Sequence, residues 1–328
     1  MGVGLVLVVA LVAGLWLASQ LIAGAAEQAH PAQGRFVPVA GGRLHMVDTG
    51  VPLGVPGGAP ADLDAPVVVL LHGASSHHAD LLATLGPGLR AAARVIAIDR
   101  PGHGWSDRLE GPAMADPVRQ AAAVGAALDA LGIRKVVLVA HSLAGAMAIN
   151  LALEQPDRVS GLVLLGAVSH PWPSGDVTWY YPLAAAPWLG PVFTRLLAIP
   201  AGALTLRTAI GGVFAPQAAP VDYDQTAQIR LLLTPERFKA NAQDLVVLHA
   251  FVTRQASRHS TLSMPVTAIA GDADTVVWTD IHSRVIAGEA PRGRLVVLPG
   301  VGHMPHHAAP ALIVAETLRL VKPAGALD

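Results

Sequence analysis

From Gly2 to Ala26 the chain carries no charged side chain, and Gly2 to Ala18 is apolar throughout, with Trp16 its one aromatic. Ser19-Gln20 is the first polar pair, and Leu21-Ile22 carry the apolar run on to small residues. About 20 such residues, rising about 1.5 Å each in a helix, cross roughly 30 Å of hydrocarbon, so this stretch reads as a membrane-spanning helix. Ala23-Gly24-Ala25 would also suit a signal peptidase. The apolar run, however, exceeds the roughly 7–15 residues of a signal sequence, and no Lys or Arg precedes it. The pattern therefore favours an uncleaved anchor over residues 1–26 with the rest of the chain on the extracytoplasmic side, or a secreted protein if the segment is cut. Arg35 is the first Lys or Arg, which leaves the positive-inside rule little to count.

Beyond residue 33 the period changes. Gly34 to Gly50 (GRFVPVAGGRLHMVDTG) alternates apolar and polar positions across a Gly-Gly pair, as a β-hairpin does. Residues 51–65 are rich in Gly, Pro and Ala and read as a loop. Pro66–Leu71 (PVVVLL) is a continuous apolar run, the pattern of a strand buried on both faces of a parallel sheet. Further strands are expected at Val95–Ile98, Val136–Val139, Val159–Leu165, Pro265–Ala270 and Leu295–Leu298, with helices at Asp116–Leu131, after Ser142, near Ile281 and over Ala311–Val321. Strands alternating with helices make a parallel sheet covered on both faces, an α/β domain in two parts, 34–168 and 264–323. Between them, over 169–263, the rhythm breaks. Trp172, Trp179, Tyr180, Tyr181, Trp188, Phe193 and Phe214 gather here in apolar, helical sequence. Such an insertion is either a lid over a substrate pocket or an ordinary helical subdomain.

Composition sharpens this picture in three places. At 328 residues with 52% hydrophobic and 14% charged, the chain suits one large α/β domain with an insertion. A net charge of −1 without a long basic run argues against nucleic acid as a partner. There is no cysteine, which excludes disulfides and thiolate metal sites. Among the 14 histidines, His77-His78 and His306-His307 are adjacent pairs, which do not put two rings on one helix face, and no acidic cluster accompanies them in sequence. Neither a metal nor a cofactor is expected.

The candidate chemistry centres on Lys135–Asn150, KVVLVAHSLAGAMAIN. An apolar β-branched run ends in small residues and a helix-forming run begins at once, with Ser142 between Ala140 and Ala144 and Gly145 next. A strand-to-helix turn this tight needs small neighbours, lifts the hydroxyl clear of the sheet and aims the first helix amides at the same spot. A serine capping a core helix would leave the same local pattern. The segment Ala140-His141-Ser142-Leu143-Ala144 resembles the nucleophile elbow of the α/β-hydrolase superfamily, G-x-S-x-G, with alanine at both glycine positions.

The resemblance implies an α/β-hydrolase fold over roughly residues 34–323, with an inserted helical lid and a triad in the order Ser, acid, His, each after a strand. The strand ending at Ala270 is followed by Gly271-Asp272-Ala273-Asp274, and the last strand by Pro299-Gly300-Val301-Gly302-His303. Alignment to the family turns makes Asp274 the acid and His303 the base, with Asp272 capping the loop. It implies an oxyanion hole from the amides of Leu143 and of Ala74 (Ser75 the other choice) in the His72-Gly73 loop. The Arg100–Asp107 loop also resembles a family signature and is expected to brace the site, with His72, His103 and Trp105 structural. Epoxide hydrolases and haloalkane dehalogenases of this superfamily carry aspartate at the elbow, so Ser142 points to acyl chemistry instead. The expected activity is hydrolysis of a small lipophilic carboxylic ester through an acyl-enzyme. Carbon–carbon hydrolysis of the meta-cleavage product type, and a non-catalytic binder on the same fold, are the alternatives.

Overall fold

A computed structural model of the chain describes residues 2–50 and 66–321. The loop expected over 51–65 and the last residues of the expected core, 322–323, lie outside the described residues. The chain opens with helix α1 (Gly2–Ala29) and the hairpin β1 (Arg35–Val39) and β2 (Gly42–Asp48). The first core unit is β3 (Val67–Leu71), α2 (His78–Leu89), β4 (Arg94–Ile98), α3 (Pro117–Ala130), β5 (Val136–His141), α4 (Ala144–Glu154) and β6 (Val159–Leu165). An insertion follows: α5 (Tyr180–Ala185), α6 (Leu189–Phe193), α7 (Ile199–Phe214), α8 (Tyr223–Thr226) and α9 (Pro235–Gln255). The core resumes with β7 (Val266–Gly271), α10 (Ser283–Glu289), β8 (Gly293–Leu298), α11 (Pro305–Ala308) and α12 (Pro310–Val321).

The eight strands form one sheet in the order β1-β2-β4-β3-β5-β6-β7-β8, antiparallel across β1, β2 and β4 and parallel from β4 to β8. This is the α/β-hydrolase fold. The apolar runs explain the central strands. On β3, Val67, Val69 and Leu71 face one core layer while Val68 and Leu70 face the other, and on β5 Val136, Leu138 and Ala140 oppose Val137 and Val139. Each such side chain, withdrawn from water on either face, contributes about 1.5–3 kcal/mol.

Helix α2 carries no clear sequence signal, because Gly86-Pro87-Gly88 reads as a break. It forms regardless. Leu81, Leu85 and Leu89 recur every fourth residue and are buried, and at Gly88 an added Cβ would meet the Val314 side chain of α12 at 2.9 Å. In the insertion, α6 continues through a π-helical turn at Thr194–Ala198 into α7, just ahead of Pro200, which has no N–H to return to the preceding turn. Thr234 starts α9 as expected of a cap: its hydroxyl accepts from the Arg237 amide, with Pro235 next.

Candidate active site

Chain order reverses between β3 and β5, which lie side by side with β4 and β6 on their far sides. In open α/β sheets the crevice beyond the carboxyl ends at such a point is where ligands bind. Two turns meet there. After β5 the chain reaches Ser142 at φ 53°, a left-handed conformation that costs a non-glycine residue about 1–3 kcal/mol unless the surroundings hold it. After β3 it reaches Gly73, where a Cβ would lie 2.9 Å from Ser142 Cβ and 3.0 Å from His141 Nδ1. Only glycine lets the two turns approach this closely. Ala140 and Ala144, in the outer elbow positions, are fully buried in the core without displacing either turn.

Ser142 Oγ donates to His303 Nε2 at 3.0 Å, and His303 Nδ1 donates to Asp274 Oδ2 at 2.8 Å. The other carboxylate oxygen, Asp274 Oδ1, accepts from the amides of Val276 (2.8 Å) and Val277 (2.9 Å), which fixes the side chain with Oδ2 toward the imidazole. Gly166 passes beneath this pair at φ 46°; a Cβ there would sit 3.3 Å from Asp274 Oδ2 and 3.4 Å from His303 Nδ1. Asp272 is elsewhere: its Oδ1 accepts from the Gly300 amide at 2.6 Å and holds the turn that precedes His303.

The amides of Ala74 and Leu143 have no acceptor among the described residues. Ser75 differs, because its amide donates to Asn241 Oδ1 at 2.7 Å, while Asn241 Nδ2 donates to Ser75 Oγ at 3.1 Å. Ser75 itself is left-handed (φ 56°), so the buried Asn241 of α9 clamps a strained turn. Around Ser142, Leu143, Ala146, Val168 and Val277 pack with Leu248, Phe251 and Val252 of α9, an apolar roof that leaves Ser142 9% exposed.

Residues of the Arg100–Asp107 loop and of the elbow hold the site through partners that carry no local sequence signal. Arg100, fully buried, donates from Nε to the His72 carbonyl (3.0 Å) and from Nη2 to the Gly73 carbonyl (3.2 Å). Its Nη1 pairs with Asp244 of α9 at 2.7 Å, and Arg108 reaches the same carboxylate at 2.8 Å. Burial pulls the Arg100 pKa down and Asp244 opposes it. His141 Nε2 donates to the His303 carbonyl at 3.0 Å, tying the elbow to the turn that carries the imidazole. His72 and His103 are internal, and Trp105 packs under Arg237.

The paired histidines require a correction. His306-His307 closes on the buried Asp80, more than 200 residues away, and His78 of the other pair closes on the buried Asp99. His306 Nε2 and His307 Nε2 donate to Asp80 at 3.2 and 2.8 Å, and His78 Nδ1, with His45 Nδ1, donates to Asp99 at 2.9 and 2.8 Å. Burial alone would raise both aspartates, yet the imidazoles hold them well below the carboxylate range. A third group joins His170 and His259 through Glu289 Oε2, 3.0 Å from each. Among the described residues, His45–His78–Asp99, Asp80–His141–His306 and His170–His259–Glu289 are where nitrogen and oxygen ligands come close enough to hold a metal. In each the carboxylate already accepts from its imidazoles.

The chain belongs to the alpha/beta hydrolase fold family, whose family model matches residues 66–310. Among curated relatives it is similar to the 2-hydroxy-6-oxo-6-phenylhexa-2,4-dienoate hydrolase of Burkholderia cepacia, 31% identical over 159 residues, 45% of this chain and 50% of that protein. It is also similar to the 2-hydroxy-6-oxononadienedioate/2-hydroxy-6-oxononatrienedioate hydrolase of Cupriavidus pinatubonensis, 27% identical over 277 residues, 82% of this chain and 88% of that one. The first-ranked curated relatives are matched over half of their own length or less. A hydrolase from Pseudomonas aeruginosa shares the fold, with a TM-score of 0.69 at 22% identity over 90% of this chain and all of that one.

Proposed function

We propose that Ser142 is a nucleophile, His303 its base and Asp274 the orienting acid, and that the chain hydrolyses a small apolar carboxylic ester. The observation that carries this is the unbroken hydrogen-bonded run Ser142–His303–Asp274 beside two unpaired amides. His303 takes the Ser142 proton as Oγ bonds to the ester carbonyl carbon. The oxyanion accepts from the amides of Ala74 and Leu143, each such donor contributing roughly 10²–10³ in rate. His303 then returns the proton to the leaving alcohol, and a water it deprotonates releases the acid. The insertion over 169–263 acts as the lid, with α9 forming the apolar roof. No cofactor enters these steps.

Carbon–carbon bond hydrolysis is the second reading, and the names of the curated relatives favour it. Those names describe dienoates, which are carboxylate anions. Here Arg100 and Arg108 both close on Asp244, and Arg237 on Glu27, which supports a neutral substrate. The test is hydrolysis of p-nitrophenyl esters of increasing chain length by the full chain in detergent, beside a dienoate bearing a 6-oxo group and beside Ser142→Ala. Ester turnover lost in the variant supports the proposal. Turnover of the dienoate alone transfers it to the second reading. Failure on both, with no labelling of Ser142 by a phosphonate, would leave a non-catalytic binder.

A further inference from the structure

Helix α1 does not stand apart from the hydrolase body. Every described residue up to Gly14 is exposed, but from Leu15 onward the helix lies on the insertion: Ser19 and Ala26 are buried, and it packs against the π turn at Thr194–Ala198 and against α7. Its stem is pinned by polar contacts as well. Glu27 pairs with Arg237 at 2.8 Å, and the His30 carbonyl accepts from Trp105 Nε1 at 3.1 Å.

This geometry decides how deep the body must sit. The projecting residues 2–14 rise only about 20 Å as a helix, whereas a bilayer's hydrocarbon core is about 30 Å thick. The missing third of the span comes from residues 15–22, which are already in contact with the insertion. If α1 is immersed, the segment it touches is drawn to the membrane surface. The surface of that segment fits such a position. Over Leu189–Phe214 the only charged residues are Arg195 and Arg207, and little of its apolar length is buried. Leu204 is 88% exposed, Trp188 91%, and Leu189, Val192 and Leu197 are each more than half exposed. Ile199 and Phe214 are buried in the body, so α7 is held along the surface and cannot itself cross a bilayer. An apolar face fixed in this way, with tryptophan at its margin and an exposed arginine, is what lies in the headgroup–acyl boundary.

We propose that the α6–α7 face of the insertion is a second membrane contact, seated in the phospholipid interface beside α1. The proposal rests on α1 and the insertion and holds whatever the bond cleaved. The chain has no cysteine, so single cysteines can be placed in the full-length protein without background. An environment-sensitive fluorophore would be attached at Leu204→Cys, at Val9→Cys in the projecting part of α1, and at Asp129→Cys at the opposite end of the sheet. Each labelled protein is reconstituted in phosphatidylcholine–phosphatidylglycerol vesicles, with nitroxide carried either near the headgroup or deep in the acyl chain. The expected result is a blue shift at Leu204 with stronger quenching by the shallow nitroxide, deep quenching at Val9, and neither at Asp129. A Leu204 label that stays quenchable by aqueous iodide while Val9 reports lipid would overturn the contact. So would a blue shift that persists in detergent and grows with protein concentration, since a second copy would then cover the face. Val9 remaining in water would remove the anchor and the contact together.

Discussion

Replacing Asp274 by Asn separates orientation of the imidazole from every other contribution at the site. The native carboxylate uses Oδ1 for the amides of Val276 and Val277 and Oδ2 for His303 Nδ1. In Asp274→Asn the side-chain carbonyl must keep facing the two backbone donors, because an NH₂ there would oppose two N–H groups. The NH₂ then faces His303 Nδ1, which has to accept, and the imidazole proton moves to Nε2. That nitrogen now points its hydrogen at Ser142 Oγ, so it cannot take the serine proton. The wrong tautomer lowers kcat by roughly 10⁴, which is about 5.4 kcal/mol in the barrier. Folding loses less, since the amide bonds survive with a neutral acceptor at about 1 kcal/mol less each, offset by no longer burying a charge. The assay pairs steady-state ester hydrolysis with urea unfolding, with Asp272→Asn alongside. Asp272 bonds only the Gly300 amide, so that variant should keep activity within a few-fold. Retention of more than a tenth of activity by Asp274→Asn, or greater loss in Asp272→Asn, would refute the tautomer reasoning.

Asp244→Ala leaves the buried Arg100 and the partly buried Arg108 without a counter-charge and should cost about 3–5 kcal/mol in urea unfolding; a loss under about 1 kcal/mol would mean the cross-brace carries no load. Gly73→Ala forces its Cβ to within 3.0 Å of both Ser142 Cβ and His141 Nδ1, so kcat should fall by at least tenfold while stability drops about 1–3 kcal/mol. Unchanged kinetics would show the two turns to be more compliant than their spacing implies. Acid should destabilise the fold in two stages. Burial pushes the pKa of His77, His259 and His282 down to about 4, so between pH 6.5 and about 4 the unfolded chain binds protons that the native one does not. Stability then falls as pH falls, by up to about 1.4 kcal/mol per pH unit for each histidine. Asp80 and Asp99, held below the carboxylate range, add a further loss only below about pH 4. Chemical denaturation across that range measures both, and stability flat from pH 7 to 5 would show these histidines to be charged in the native state.

What could be read from the sequence was local. β5, β7 and β8 are short, largely apolar runs each followed at once by a turn, and Ser142, Asp274 and His303 sit in those turns, so motif and element coincide. The structure brings Ser142 and Asp274 each within hydrogen-bonding distance of His303. The supporting contacts were not legible because their partners are remote: Ser75 and Asn241 are 166 residues apart, Arg100 and Asp244 are 144 apart, and Asp80 lies more than 200 residues from its two histidines. No periodicity marks such a pair. Asn241 and Asp244 look like ordinary polar positions of an amphipathic helix until α9 is folded over the sheet. Helix α2 was hidden for the opposite reason, since its Gly-Pro-Gly says loop while burial of three leucines decides for helix.

The stem of α1 sets an order of assembly. It is synthesised before its partners, yet its ion pair from Glu27 closes on Arg237 across 210 residues, and the His30 carbonyl waits for Trp105 across 75. Contacts that distant form late, because the loop they close must be ordered before they contribute. The leading segment therefore spends most of synthesis without its partner surface, and the insertion reaches its final packing only after the chain has passed residue 237. A chain paused before that point would have its Ser142 turn synthesised and its insertion still undocked.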